Sequence, residues 1–238
     1  MLLILVAIVS LLPSLLVFFW MRNKSNLEAR DKGVCDKAFR YGLFCVVPIF
    51  FLSGVTFLLL AFTGLKQTNP LLYQAIYKFI VLALAEEIAK FFMFKYLLKK
   101  ENYTCNWLMA VILMTAVSIG FSTIESVTFS IGASIPVMIA RAISFPHVGY
   151  GFLVGYYYGK GIEEGKPSLW WVGFLLAWFI HGLYDFSLSD EILALNDSLV
   201  FLPFLLIAVD IILVVVLVRF ILKKRNKQSG ATTLPNNS

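Results

Sequence analysis

Apolar residues along this chain fall into runs of about twenty, separated by short polar segments that hold most of the charge. A helix of that length crosses a hydrocarbon core ~30 Å thick. Seven spans are predicted, at about 1–20, 41–64, 72–98, 106–131, 135–158, 169–188 and 199–222. The connections are short, apart from Met21 to Arg40 and the polar stretch after Lys223. Almost nothing remains for a soluble domain. The predicted fold class is therefore all-α: a polytopic transmembrane helix bundle, forming one domain over 1–225. Residues 226–238 mix Gln, Ser, Gly, Thr, Pro and Asn and are predicted to be a disordered cytoplasmic tail. No internal repeat or inverted symmetry is evident.

Composition supports this class. Apolar residues make up 60% of the 238 and charged residues 14%, against about 25% charged in a soluble domain. Mean hydropathy is +0.84. A net charge of +6 would suggest nucleic acid in a soluble protein. Here the bases flank apolar spans, and orientation in the membrane explains them better.

The first connection holds Arg22, Lys24, Arg30, Lys32, Lys37 and Arg40. Further bases sit at Lys99 and Lys100, at Lys160 and Lys166, and from Lys223 to Lys227. The alternate connections hold only Lys66, and the sixth is acidic, with Asp190, Glu191 and Asp197. The positive-inside rule then places the N-terminus outside and the C-terminus in the cytoplasm. Met1 to Trp20 lacks a basic leader, and its positive charges follow the apolar run, as in a retained helix. Cys35, Cys45 and Cys105 show no metal or redox spacing, and a cytoplasmic position argues against a disulfide.

The informative residues are charges where none should be. Lys78, Glu86, Glu87, Lys90, Glu125, Arg141, His147, His181, Asp185 and Asp210 all lie inside predicted spans. Each ionised side chain at mid-bilayer costs about 2.5–3.5 kcal/mol. A group of them requires a shared protein interior. Structural ion pairs are the plain alternative for any single residue, but intramembrane charges usually mark function.

Lys90 follows Glu86 by four residues and Glu87 by three, so one lysine can reach either acid. Two adjacent carboxylates in a low dielectric do not both ionise comfortably unless compensated, and a carboxylate so placed is suited to activating water. His181 and Asp185, four apart, share a helix face, so Asp185 can orient the imidazole or both can serve one ligand. Glu125 has no basic neighbour on its own helix. His147 continues a stripe of Gly151, Gly155 and Gly159 that should face a neighbouring helix. Counted from the outer ends of their spans, Asp185, Glu125 and His181 lie roughly 5–12 Å deep, Glu86 and Glu87 roughly 12–14 Å, and His147 roughly 16–19 Å. The constellation favours the outer half of the membrane.

Glu86-Glu87-x-x-Lys90-Phe91, Gly120-Phe121-x-x-x-Glu125, Arg141 ahead of His147 with its glycines, and His181-Gly-x-Tyr-Asp185-Phe186 resemble the motifs of the PrsW intramembrane proteases. That family belongs to the wider CAAX-protease and bacteriocin-processing superfamily. The resemblance covers about 80–187, four consecutive spans with the motifs in order. Ser126 stands where the family usually has Asn, and a hydroxyl donates one hydrogen bond where an amide donates two. The Arg141–His147 interval is also shorter than in the family.

The resemblance implies a multi-pass protease of the bacterial cell membrane. Its partner would be a single-span substrate such as an anti-sigma factor, cut on the extracytoplasmic side to start an envelope-stress response. Membrane lipid is the other expected partner.

Within that reading Glu86 or Glu87 deprotonates water, while His147 and His181 bind the water or polarise the scissile carbonyl. Asp185 orients His181, and Glu125 is a second acid–base group or a ligand; Lys90, Phe121 and Arg141 support them. No Ser-His-Asp order or Gly-x-Ser-x-Gly is present, which argues against an acyl-enzyme. His147 and His181 with Glu125 or Asp185 could supply three zinc ligands. The lack of a His-Glu-x-x-His pair favours metal-free hydrolysis, with one zinc ion as the alternative. Two other classes stay open: a proton- or ion-coupled transporter, against which the missing inverted repeat counts, and a non-catalytic peptide-binding or immunity relative.

Overall fold

The computed structural model describes residues 2–130 and 146–231. These residues are helical, and the expected all-α class holds. Helix α1 spans Leu2–Lys24, α2 Ala29–Leu43 and α3 Val46–Ala61. A short α4, Leu65–Thr68, leads to α5, Pro70–Ile76, whose first turn is capped by the Asn69 side chain accepting from Leu72 N–H. The chain then widens into a π-helical stretch, Tyr77–Leu84, and continues without a break as α6, Ala85–Lys100. Helix α7 spans Trp107–Ser130, α8 Pro146–Glu163, α9 Trp170–Ser187 and α10 Asp190–Leu193. The last helix, α11, spans Leu202–Ala231 and so runs past the tail boundary expected at 226.

Four apolar stretches among the described residues are long enough to cross a membrane: Ala29–Ala61, Trp107–Thr128, Pro167–Ser187 and Ser198–Asn226. The run expected at 72–98 is too rich in charge to join them, with Lys78, Glu86, Glu87, Lys90 and Lys95 along its length. The run expected at 135–158 begins outside the described residues, and Arg141 lies there too.

Helix α7 is the hub. It packs along α8 on one side and along α2 and α1 on another. Its residues from Leu108 to Phe121 are buried throughout. That arrangement explains a helix apolar all round: its neighbours are protein, whereas the equally apolar α3 and α11 present Phe50, Phe51, Phe204 and Leu205 outward, as lipid-facing helices do. The basic connection of the sequence reading is largely the helix α2. Val34, Ala38 and Gly42 recur every four residues and, with Cys35 beside them, turn into the bundle, while Arg30 and Arg40 stay exposed.

Close backbone approach builds the core. A Cβ on Gly42 would collide with Val117 O and one on Gly120 with Phe39 O, so α2 and α7 cross at this glycine pair. Along α8, a Cβ on Gly151 would come 2.9 Å from Thr115 Cα, on Gly155 2.8 Å from Val111 Cα, and on Gly159 2.7 Å from Trp107 Cα. The glycine stripe therefore faces α7, and His147, one turn earlier, is delivered to the same interface.

Candidate active site

Four helices converge on one buried cluster. Helix α6 brings Glu86, Glu87 and Lys90; α7 brings Phe121 and Glu125; α8 brings His147; α9 brings His181 and Asp185. Glu86, Glu87, Lys90, His147 and His181 are all buried. The π-helical stretch helps aim α6. The carbonyl of Phe79, within it, accepts the Trp178 indole N–H from α9 at 2.7 Å. Gly182 lets the Phe79 ring close on α9, since a Cβ there would lie 2.5 Å from the ring. These contacts fasten α6 to α9 just ahead of the two glutamates. Wide π turns at functional sites are a recurring device.

Lys90 takes Glu87 rather than Glu86. Its Nζ donates to Glu87 Oε1 at 2.5 Å and to His147 Nδ1 at 3.1 Å. An ammonium has no acceptor, so Nδ1 is the accepting nitrogen and the proton of a neutral ring sits on Nε2. That Nε2 meets Glu125 Oε2 at 2.6 Å. The ammonium also lies 5.3 Å from the centroid of the Phe121 ring and 5.8 Å from that of Tyr150. Here the cation is attracted to both π-faces without a bulk dielectric to weaken it.

His181 donates Nδ1–H to Glu87 Oε1 at 2.9 Å, leaving Nε2 turned toward Glu86 Oε2 at 3.6 Å and Asp185 Oδ2 at 3.9 Å. The orienting hydrogen bond expected of Asp185 is thus made by Glu87, from another helix. Asp185 and Glu125 keep 22% and 15% of their side chains exposed and are the least buried members of the cluster. The two imidazoles meet edge to face, with centroids 5.1 Å apart. Ser126, at the family's Asn position, is buried. Asp210 comes in from α11 against α8, 3.4 Å from where a Cβ on Gly149 would sit.

The geometry admits a metal ion. Glu86, His147 and His181 offer donor atoms all within 4.8 Å of one another, and all three are buried. Among the described residues, Glu86 Oε2 is a buried oxygen without a hydrogen-bond partner, a costly state that a cation would relieve. The Glu87–His181 pair is the carboxylate-to-imidazole arrangement that fixes tautomer and ring orientation behind a metal-binding nitrogen. One carboxylate and two imidazoles suit zinc. The sequence reading paired the histidines with Glu125 or Asp185 and gave Glu86 or Glu87 the role of base; the third donor of the convergent set is Glu86.

Tyr150 was not singled out from sequence. Its ring stacks on His181 at 4.9 Å and 23°. Three residues after His147, it shares that helix face, which is the signal that could have drawn it in. The Lys90–His147 contact left no such signal, because it joins residues 57 apart in the chain.

The profile described as "PrsW family intramembrane metalloprotease" matches residues 32–219. Among curated proteins, "Protease PrsW" of Geobacillus kaustophilus is 28% identical over 74% of this chain and 75% of its own length. The protein of the same name from Clostridioides difficile is 29% identical over 77% and 79%, and that of Bacillus subtilis 24% identical over 79% and 85%. No solved structure matches. The family's description and the donor set favour one metal ion over the metal-free hydrolysis expected from spacing. Matched over most of its length by the profile and by these relatives, the chain belongs to the PrsW family of intramembrane metalloproteases and is a membrane peptidase.

Proposed function

We propose that this protein is a multi-pass protease of the bacterial cell membrane that cuts a single-span membrane protein, of the anti-sigma-factor class, near the extracytoplasmic face. The observation that carries the catalytic part is the buried convergence of Glu86, His147 and His181 from three separate helices. The outer-half depth of these residues, read from the span ends, supports the side of cleavage. The seven-span arrangement with the N-terminus outside is part of the same reading.

Glu86, His147 and His181 would hold the ion. A divalent ion such as zinc, when bound there, polarises a carbonyl and acidifies water. Glu87 holds His181 by Nδ1 and is itself held by Lys90, so it acts on the geometry of the site and is too enclosed to meet a substrate. Lys90 packs against His147 Nδ1; for Nε2 to hold the ion, the ring's proton would sit on Nδ1 and Lys90 would keep its bond to Glu87 alone. Glu125, beside that Nε2 and partly exposed, takes the proton from water and returns it to the leaving amine. Asp185, partly exposed and 3.9 Å from His181 Nε2, is the other carboxylate within reach of a bound peptide.

Purified protein should hold about one zinc per chain, and a strong chelator should stop cleavage of a co-expressed single-span regulator until zinc is restored. Glu86→Gln and His147→Ala should lose both metal and cleavage. Glu125→Gln should keep the metal and still lose cleavage by about 10²–10⁴-fold, the usual worth of a positioned acid–base group. Active enzyme without stoichiometric metal and indifferent to chelators would overturn the ligand assignment and return the chemistry to water activation by Glu86 or Glu87 alone. Normal processing by Glu125→Gln would remove it as the base.

A further inference from the structure

Away from the active site, a cavity of about 690 Å³ opens at the basic end of the bundle, between the last turns of α6, the entry to α7 and the last turns of α8. Lys95, Lys99, Tyr96, Tyr103 and Tyr158 contribute to its wall, and no aspartate or glutamate does. Lys95 Nζ donates to the Tyr158 hydroxyl oxygen at 2.9 Å, with the ring centroid 4.9 Å from the same nitrogen, which holds that ammonium against the cavity wall. A second cavity of about 450 Å³ runs up the seam of α6 and α9 past Ile88, Phe91, Trp170, Trp171 and Phe174 to Leu84. Apart from Lys95 its lining side chains are apolar, and it shares Phe92 and Lys95 with the first.

A basic, tyrosine-rich pocket thus leads into an apolar groove. From Lys95 to Leu84 the groove follows α6 for roughly 16 Å, at 1.5 Å per residue. A substrate helix ~10 Å across fills about 420 Å³ per turn, so the groove would hold a single turn of one. A narrow extended acyl chain can follow its whole length.

We propose that the paired cavities bind one anionic phospholipid from the leaflet at this end of the bundle, its phosphate at Lys95 and Lys99 and one chain in the α6–α9 groove. Charge complementarity selects the headgroup, since each basic residue near the membrane surface adds attraction to anionic lipid. The groove's walls are the helices that carry Glu86, Glu87 and His181, so a seated chain wedges the active-site helices in register. Only the choice of leaflet rests on the topology above; nothing here rests on proteolysis.

Trp170 and Trp171 make the site readable by fluorescence. Full-length protein in vesicles would be titrated with brominated-chain phosphatidylglycerol and, separately, with brominated-chain phosphatidylcholine. Phosphatidylglycerol should quench at a far lower mole fraction. Lys95→Gln with Lys99→Gln should raise the amount needed roughly 30-fold, about fivefold per lysine. Arginine at both positions should restore it. Trp170→Phe with Trp171→Phe should abolish the lipid-selective component, assigning it to this groove. Both lysines are exposed, so the variants should fold, and unchanged helical circular dichroism would verify that they do. Equal quenching by the two lipids, a wild-type titration in the glutamine variant, or selective quenching that survives loss of both tryptophans would each overturn the proposal. Displacement of the lipid by equimolar glycerol phosphate would do the same, pointing to a simple phosphate pocket.

Discussion

Lys90→Met tests the charge network more directly than any change to a candidate ligand. Lys90 and Glu87 have no exposed side-chain surface, and their charged atoms are 2.5 Å apart. Methionine keeps an unbranched chain of similar length but removes the ammonium, leaving the Glu87 carboxylate with His181 as its one remaining partner described here. Breaking a buried pair from one side costs about 3–5 kcal/mol, because the surviving charge has lost its compensation. The donor to His147 Nδ1 goes at the same time. Replacing both charges in Glu87→Gln/Lys90→Met should cost much less than Lys90→Met alone, because no uncompensated ion remains. The two sites should therefore couple by more than about 2 kcal/mol in a double-mutant cycle. Reversible unfolding in mixed micelles measures stability, and cleavage of a co-expressed substrate measures function. Function should be lost in Lys90→Met, in Glu87→Gln and in the double variant, since His181 or His147 loses its orientation whether or not the bundle is restored. A Lys90→Met protein within about 1 kcal/mol of wild type, or a double variant no more stable than the single one, would refute the buried ion pair.

Gly155→Ala should destabilise the protein by about 1–3 kcal/mol and lower cleavage, because the new Cβ would meet Ala110 O at 2.7 Å and Val111 Cα at 2.8 Å, backbone atoms that cannot yield; Gly33→Ala, with nothing within 4 Å, should leave cleavage unchanged. Reporter fusions at Lys66 and Asp190 should read extracytoplasmic, and those at Asp31, Glu101, Glu164 and the tail cytoplasmic; an extracytoplasmic Glu164 would invert the topology. Burial pushes the Cys105 thiol up to about 11, so at pH 8 it is held almost wholly as the unreactive thiol. With Cys35 and Cys45 replaced by serine, maleimide should label Cys105 slowly until the protein is unfolded or the pH approaches 11. Rapid labelling of the folded protein at pH 8 would contradict that burial.

The membrane class, the helical fold and the residues that the bundle gathers into one cluster were legible along the chain because each depends on a local signal. A run of apolar residues declares a span through its transfer free energy, whatever its neighbours. An ionisable residue inside such a run is costly enough to stand out by itself, which is why Glu86, Glu87, Lys90, Glu125, His147, His181 and Asp185 could be named before any contact was known. The glycine stripe after His147 likewise announced a tightly packed face. The helical nature of 29–43 was harder to see, because charges around that helix dilute its narrow buried face.

Roles within the site were another matter. Spacing paired His181 with Asp185 and left Lys90 free to choose between two acids; the fold gave His181 to Glu87, gave Lys90 to both Glu87 and His147, and set Glu86 beside the two imidazoles. Helical periodicity fixes which residues share a face of one helix. Which face meets which depends on backbone crossings such as Gly42 against Gly120 and on contacts such as that of the π-helical stretch with α9. Those are relations between residues far apart in the chain, so the helical membrane class and the charged residue types within the apolar runs were determined by the sequence alone, while the assignment of partner, orienter and ligand was decided by tertiary packing.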